Sequence, residues 1–161
     1  KKVKLILGDC NLVIDEVITN VPSRSLTLAF VDPTGLDFKF STLQKLARRR
    51  MDLIITFPEE AIRRNRSKFL KEPHSPLDDV IGDNGWRQFE TVKEIIGYYR
   101  NKLVSLGYQE VKLGEEIPIR SIAKNLPLYC ILFASKHPLG HMFWQKISRI
   151  GHTGQRRLLY E

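Results

Sequence analysis

Cysteine is scarce: Cys10 and Cys130 are the two in a chain of 161 residues. Each sits in an apolar neighbourhood, which predicts buried free thiols rather than a disulfide scaffold, and no zinc-ligand spacing is present. Long hydrophobic runs are also missing. The longest apolar stretches, such as Leu128 to Ala134, fall far short of the about 20 residues a bilayer demands. No signal-peptide pattern stands before the first predicted strand, so the expectation is a cytoplasmic chain with no membrane association. Internal repeats and low-complexity segments are lacking as well. What remains is ordinary globular composition, 42% hydrophobic and 27% charged, at a length that can bury one core. One domain over residues 1–161 is predicted.

Acidic residues are under-represented. Lys and Arg number 26 against 18 Asp and Glu, a formal charge of +8 with a pI near 9.6. A field of that sign has no evident use for a small neutral substrate and suits a polyanion, nucleic acid above all. Arg48, Arg49 and Arg50 close a predicted helix, where cations complement the carbonyl end of the macrodipole, so their position explains them. The denser run Arg63, Arg64, Arg66, Lys68 and Lys71 follows a strand end and supplies the candidate phosphate contacts.

The patterning alternates strand and helix. Val3 to Leu7 is a short apolar strand ending in Gly8-Asp9, and Asn11 is placed to cap a helix carrying Val13, Ile14, Val17 and Ile18. Leu26 to Val31 is a nearly all-apolar strand that stops at Asp32-Pro33-Thr34-Gly35. Ser41 with Gln44 forms a capping-box pattern, Asp52 to Phe57 is a third strand, and Pro58 with Glu59 and Glu60 opens the next helix. The stretch 69–86, with Pro73, Pro76, Gly82 and Gly85, reads as a long loop or inserted lid. Gln88 to Leu106 has apolar residues at helical spacing and ends at Gly107. Tyr108 to Leu113 and Pro118 to Ile122 are candidate edge strands, Leu128 to Ala134 is the clearest late strand, and a final helix contains Phe143, Trp144 and Ile147, with the two aromatics read as core.

This alternation predicts an α/β fold, Rossmann-like, with a mostly parallel sheet and helices on both faces. Ligands of such sheets gather at the carboxyl ends of the strands. Three polar junctions fall there: Gly8-Asp9, Asp32-Pro33-Thr34-Gly35 and Phe57-Pro58.

Four motifs in order carry a resemblance. They are Phe30-Val31-Asp32-Pro33-Thr34-Gly35-Leu36; Asp52-Leu53-Ile54-Ile55-Thr56-Phe57-Pro58 with Ala61-Ile62-Arg63-Arg64-Asn65; Trp86 after Gly82; and His137-Pro138-Leu139-Gly140 with Phe143-Trp144. Together they resemble the three-Cys-motif partner protein family over most of the chain. The resemblance implies the later part of a class I methyltransferase-like fold, S-adenosylmethionine as cofactor, and a separate three-Cys-motif protein as partner. It implies Gly8 and Asp9 at the adenine of that cofactor, and Asp32 and Pro33 beside the transferred methyl. A carboxylate at Asp32 would accept a hydrogen bond from an amino group being methylated, turning its lone pair toward the methyl.

The pattern also departs from such enzymes. Thr34 and Gly35 stand where amino-methylating enzymes place a proline and an aromatic residue, and the glycine-rich cofactor turn with its strand and helix is missing from the front. Two readings of function follow. In one, the domain belongs to a methyltransferase acting on nucleic acid, with Trp86 and the Arg63 to Lys71 run as contacts; in the other, it is a non-catalytic module that binds nucleic acid or protein. A sheet lacking its front strands would expose an edge that invites pairing into a homodimer.

Overall fold

Strands Thr27–Val31 (β1), Met51–Phe57 (β2), Ile117–Arg120 (β3) and Pro127–Ala134 (β4) form one open sheet in the order β1-β2-β4-β3. The computed structural model describes residues 3–109, 116–121 and 123–148. β1 and β2 run parallel, joined by a crossover through the helix Phe40–Ala47 (α2). β4 runs antiparallel to both of its neighbours, β2 and β3. The architecture is α/β, but the sheet is mixed and not mostly parallel, which corrects the expectation. The link between Arg120 and Pro127 is too short for a crossover, and a short link forces an antiparallel pair. Its closure is a backbone bond from the Ser121 N–H to the Leu126 carbonyl, 2.9 Å.

One face of the sheet carries the main core. Ala29 and Val31 of β1 lie beside Leu53 and Ile55 of β2, and those beside Ala134 and Leu132 of β4. Against this row pack α2 and the helix Val92–Ser105 (α5), with Tyr99 touching Phe57 at a centroid distance of 5.0 Å and Phe40 at 6.0 Å. Thr91 caps α5, accepting from the Glu94 N–H while Glu94 reaches back to the Thr91 N–H, so the helix starts four residues later than the hydrophobic spacing alone suggests. On the opposite face the helix Pro138–Ser148 (α6) stacks Trp144 on Phe133, 5.0 Å apart and nearly coplanar. Phe143, read as core from sequence, points outward instead.

Two further elements differ from expectation. Residues 3–7 form no strand; Leu5 and Leu7 are 91% and 101% exposed. A strand needs a neighbouring ladder, and this segment pairs with no strand; Lys4 ties it instead to Glu16 on the helix Cys10–Asn20 (α1). Within the stretch read as loop or lid, Pro76–Ile81 (α4) and a single 3-10 turn at Gly85–Gln88 fold onto the core. Gly82 ends α4 in the left-handed region, φ +86°, with its N–H on the Asp78 carbonyl, a position at which a side chain would also meet Phe40. Of the expected strand from Tyr108 to Leu113, residues 110–113 lie outside the described residues, and so does Ile122.

Candidate functional site

The parallel strands end at Val31 and Phe57, and the junctions after them hold the candidate residues. Asp32 stands directly beyond β1. Its Oδ1 accepts a hydrogen bond of 2.6 Å from the Thr56 hydroxyl on β2, and that same hydroxyl lies 3.3 Å from the Val31 carbonyl. Thr56 is buried while Asp32 is exposed, so one oxygen of the carboxylate is anchored to the sheet and the other faces outward. Pro33 lies beside Phe57 and Pro58 around a small crevice that Tyr99 and Val80 floor.

Asp9 is the N-cap of α1: its Oδ1 accepts from the Asn11 N–H at 2.8 Å and from Asn11 Nδ2 at 2.9 Å. The cap is therefore Asp9 and not Asn11. Asn11 does something the spacing does not reveal. Its Nδ2 also donates to the Asp37 carbonyl at 2.7 Å, and its Oδ1 accepts from the Lys39 N–H at 3.0 Å and the Thr42 hydroxyl at 2.7 Å. One side chain thus caps the start of α2, which begins at Phe40 rather than Ser41, and locks the two helices together.

Asp9, Asn11, Leu36, Asp37, His74 and Asp79 border an open cleft of about 590 Å³. Asp32 is not among its lining residues. Among the described residues Asp9 Oδ2 has no hydrogen-bond partner. Gly8 has φ +149°, and a Cβ built there would stand 2.7 Å from Val13 Cγ1. Its lack of a side chain is thus required by α1 itself. Cys10, expected as a buried thiol, is the first residue of α1 and is exposed. Desolvation and, after it, the charge of Asp9 push that thiol's pKa up. Cys130 is buried as expected, and burial first of all holds its pKa up at about 12.

The cationic run on the helix Glu59–Phe69 (α3) and the turn after it divides into two sets. Arg64 and Lys71 are exposed, as is Lys68, which lies 3.7 Å from Glu72. Arg63 is exposed but donates to the Pro127 carbonyl at 3.2 Å. Arg66 turns inward and donates to the Phe89 carbonyl, tying α3 to the segment before α5. That use removes it from the outward-facing set.

Trp86 differs most from its sequence reading. It is 0% exposed, and its Nε1–H donates to Asp78 Oδ1 at 2.7 Å. A ring with no face open to solvent cannot stack on a base, so the contact expected of Trp86 is replaced by a core role. Asp78 also takes the Arg87 guanidinium at 2.8 Å and the Ser75 N–H at 2.6 Å. Burial works against ionisation of Asp78, but the bonds from Arg87, Ser75 and Trp86 outweigh it and hold the pKa below the usual carboxylate range. Asp83 is held low in the same way: burial opposes, and Lys102, the Gly85 N–H and the Tyr98 hydroxyl prevail. The sequence signal for this network is no more than three Asp residues, Asp78, Asp79 and Asp83, shortly before Trp86 in a stretch otherwise read as loop.

Among the described residues no group of three or more His, Cys, Asp or Glu side chains is arranged to hold a metal ion, and no helix is long and apolar enough to cross a membrane. No family model matches this chain, and no curated protein and no solved structure matches it.

Proposed function

We propose that this chain is a methyltransferase-like domain that uses S-adenosylmethionine and acts on nucleic acid together with a partner protein of the three-Cys-motif kind. What carries the reading is the pair Asp32 and Thr56 at the carboxyl ends of the two parallel strands. Ligand chemistry concentrates at such ends, and a carboxylate anchored by one oxygen has the other free to accept from a substrate amino group. The mixed sheet is compatible with a Rossmann-like fold, since parallel sheets of that class commonly carry antiparallel strands at one side.

The residues present fit one part of the cofactor. Asp9 keeps an uncommitted oxygen on the rim of the cleft and is the group to accept from an adenine amino group. Gly8 provides no cradle, because Val13 occupies the space its missing side chain leaves. The cofactor, when bound, supplies an electrophilic methyl group; Asp32 would orient the acceptor nitrogen, and Arg63, Arg64, Lys68 and Lys71 would contact phosphates.

A second reading has its own support. The cleft at Asp9 does not extend to Asp32, and both Asp9 and Gly8 have complete structural reasons to be where they are. That favours a non-catalytic module binding through its basic surface. Calorimetric titration of S-adenosylmethionine separates the two. Asp9→Ala removes both charge and helix cap, whereas Asp9→Asn keeps the cap, since Asn and Asp cap equally well. Binding weakened by both variants supports the methyltransferase reading; no binding by the wild-type chain moves the conclusion to the module. For the phosphate contacts, replacing Arg64 and Lys71 together by Gln should flatten the slope of log affinity for nucleic acid against log salt by about 1.4–1.8. An unchanged slope removes them from the interface.

A further inference from the structure

Two carboxylates, Asp32 and Asp78, are held by partners of different kinds. Asp78 takes its bonds from the Trp86 indole N–H, the Arg87 guanidinium and the Ser75 backbone N–H. Each of these donates and none can accept, so their arrangement fits the ionised carboxylate alone. Asp32 is held among the described residues by the Thr56 hydroxyl, at 2.6 Å. A hydroxyl is donor and acceptor at once, and its hydrogen turns to suit its surroundings.

The Thr56 hydroxyl has one hydrogen and two acceptors within reach. Asp32 Oδ1 lies at 2.6 Å, the length of a bond from a hydroxyl to a charged oxygen, and the Val31 carbonyl lies at 3.3 Å. The hydrogen therefore belongs to Asp32 while that group is ionised. A neutral carboxyl is a weaker acceptor and carries a hydrogen of its own. With that hydrogen on Oδ1, Asp32 donates to Thr56 Oγ1, and the Thr56 hydrogen turns to the Val31 carbonyl. Thr56 is 7% exposed, so water does not replace a bond it loses, and this chain of donors leaves none unmade in either state.

We propose that Asp32 takes up the proton released when an amino group is methylated, and that Thr56 is the positioning residue that allows it by exchanging one acceptor for the other. The inference rests on the methyltransferase reading for its substrate and goes beyond the hydrogen bond given to Asp32 there. In the step, the nitrogen lone pair forms the N–C bond, the C–S bond of the sulfonium breaks with its electron pair left on sulfur, and the positive charge passes to nitrogen. An N–H proton then moves to the outward oxygen of Asp32, and a half-turn of the carboxyl group brings it to face Thr56. Sulfonium, amine and carboxylate have become thioether, methylated amine and carboxylic acid, and solvent later takes the proton. Partners that only donate, as at Asp78, would oppose the neutral state and keep the proton on nitrogen.

Carbon-13 nuclear magnetic resonance of the wild-type chain tests this without substrate or cofactor, so its outcome is separate from whether S-adenosylmethionine binds. The Asp32 carboxyl carbon and the Val31 carbonyl carbon are followed from about pH 7 to about pH 3. The other ionisable groups on the segments around the two strand ends are Asp37 and Lys39 on the same loop, Glu59 and Glu60 opening α3, Asp79 on α4 and Tyr99 on α5. Asp32→Asn removes the titration of Asp32 and keeps theirs. In the wild type the Val31 carbon should shift downfield at the same midpoint as the Asp32 carboxyl, because it gains a hydrogen bond. Thr56→Ser should keep that shift, Thr56→Val should lose most of it, and Asp32→Asn should lose it altogether. A Val31 carbon that stays still while Asp32 takes its proton overturns the proposal. So does a shift of equal size in Thr56→Val, which comes through the covalent chain alone, or one that persists in Asp32→Asn.

Discussion

Residues 3–7 and residues 69–86 lie outside the sheet, and they invert what their compositions suggest. The first is apolar and reads as a buried strand, yet Leu5 and Leu7 stand in water. The second is rich in proline, glycine and charge and reads as a loop, yet Leu77, Ile81 and Trp86 have 0% exposure. The difference lies in what each segment finds opposite it. Residues 69–86 meet a ready-made surface on α2, α3 and α5 and carry the carboxylates that tie them to it, since Asp78 and Asp83 satisfy donors from six residues, Ser75, Gly85, Trp86, Arg87, Tyr98 and Lys102. Residues 3–7 bring apolar side chains but pair with no strand and pack under no other element, so Leu5 and Leu7 stay exposed. Hydrophobicity creates a demand for burial, and the neighbouring elements decide whether it is met.

That contrast can be broken by mutation, beginning in the second segment. Trp86→Ala should cost about 3–5 kcal/mol in denaturant unfolding, the loss of a large enclosed aromatic plus the cavity it leaves. A cost below about 1 kcal/mol would mean that the segment is not part of the cooperative core. Asp78→Asn should cost about 2–3 kcal/mol, less than the tryptophan because Arg87 retains access to water; thermal melting measures it. The effect of pH comes next in size. Asp78 and Asp83 have depressed pKa values in the folded chain, so their contribution is fully present above the ordinary unfolded value and is lost as pH falls through the lower folded values. Stability should therefore decline below about pH 4, and the decline should be shallower in Asp78→Asn. The smallest effect is expected in the first segment. Leu5→Ala and Leu7→Ala should each change the stability of the monomer by less than about 0.5 kcal/mol, and a loss above about 1 kcal/mol would show that the segment is packed after all.

Legibility in the sequence followed the range of the interaction. Helix α5 could be read from Phe89, Val92, Ile96, Tyr99 and Leu103 because its apolar face is periodic, and β4 from an unbroken apolar run that is buried along the sheet. The parallel pair β1 and β2 followed from strand, helix and strand in succession. Asp32-Pro33 could be located beyond a strand end, but its anchor could not: Thr56 lies 24 residues away and reads simply as one more strand residue. Asn11 was assigned to the wrong cap for a related reason. Three of its bonds, to Asp37, Lys39 and Thr42, span 26, 28 and 31 residues, and no local spacing encodes them. Arg66 and Trp86 were read as outward-facing because charge near a strand end and an aromatic beside glycines are common surface patterns; the carbonyl of Phe89 and the carboxylate of Asp78 draw them inward.

By itself the sequence determined the α/β class, the order of most elements and the basic character of the surface, since these rest on periodicity, caps and counts that neighbouring residues set. The tertiary structure alone decided the direction of β4, the burial of Trp86 and the exposure of residues 3–7. Those depend on which surfaces meet. Strand direction is set by where a short link lets the chain return, and burial by whether a complementary face stands within reach.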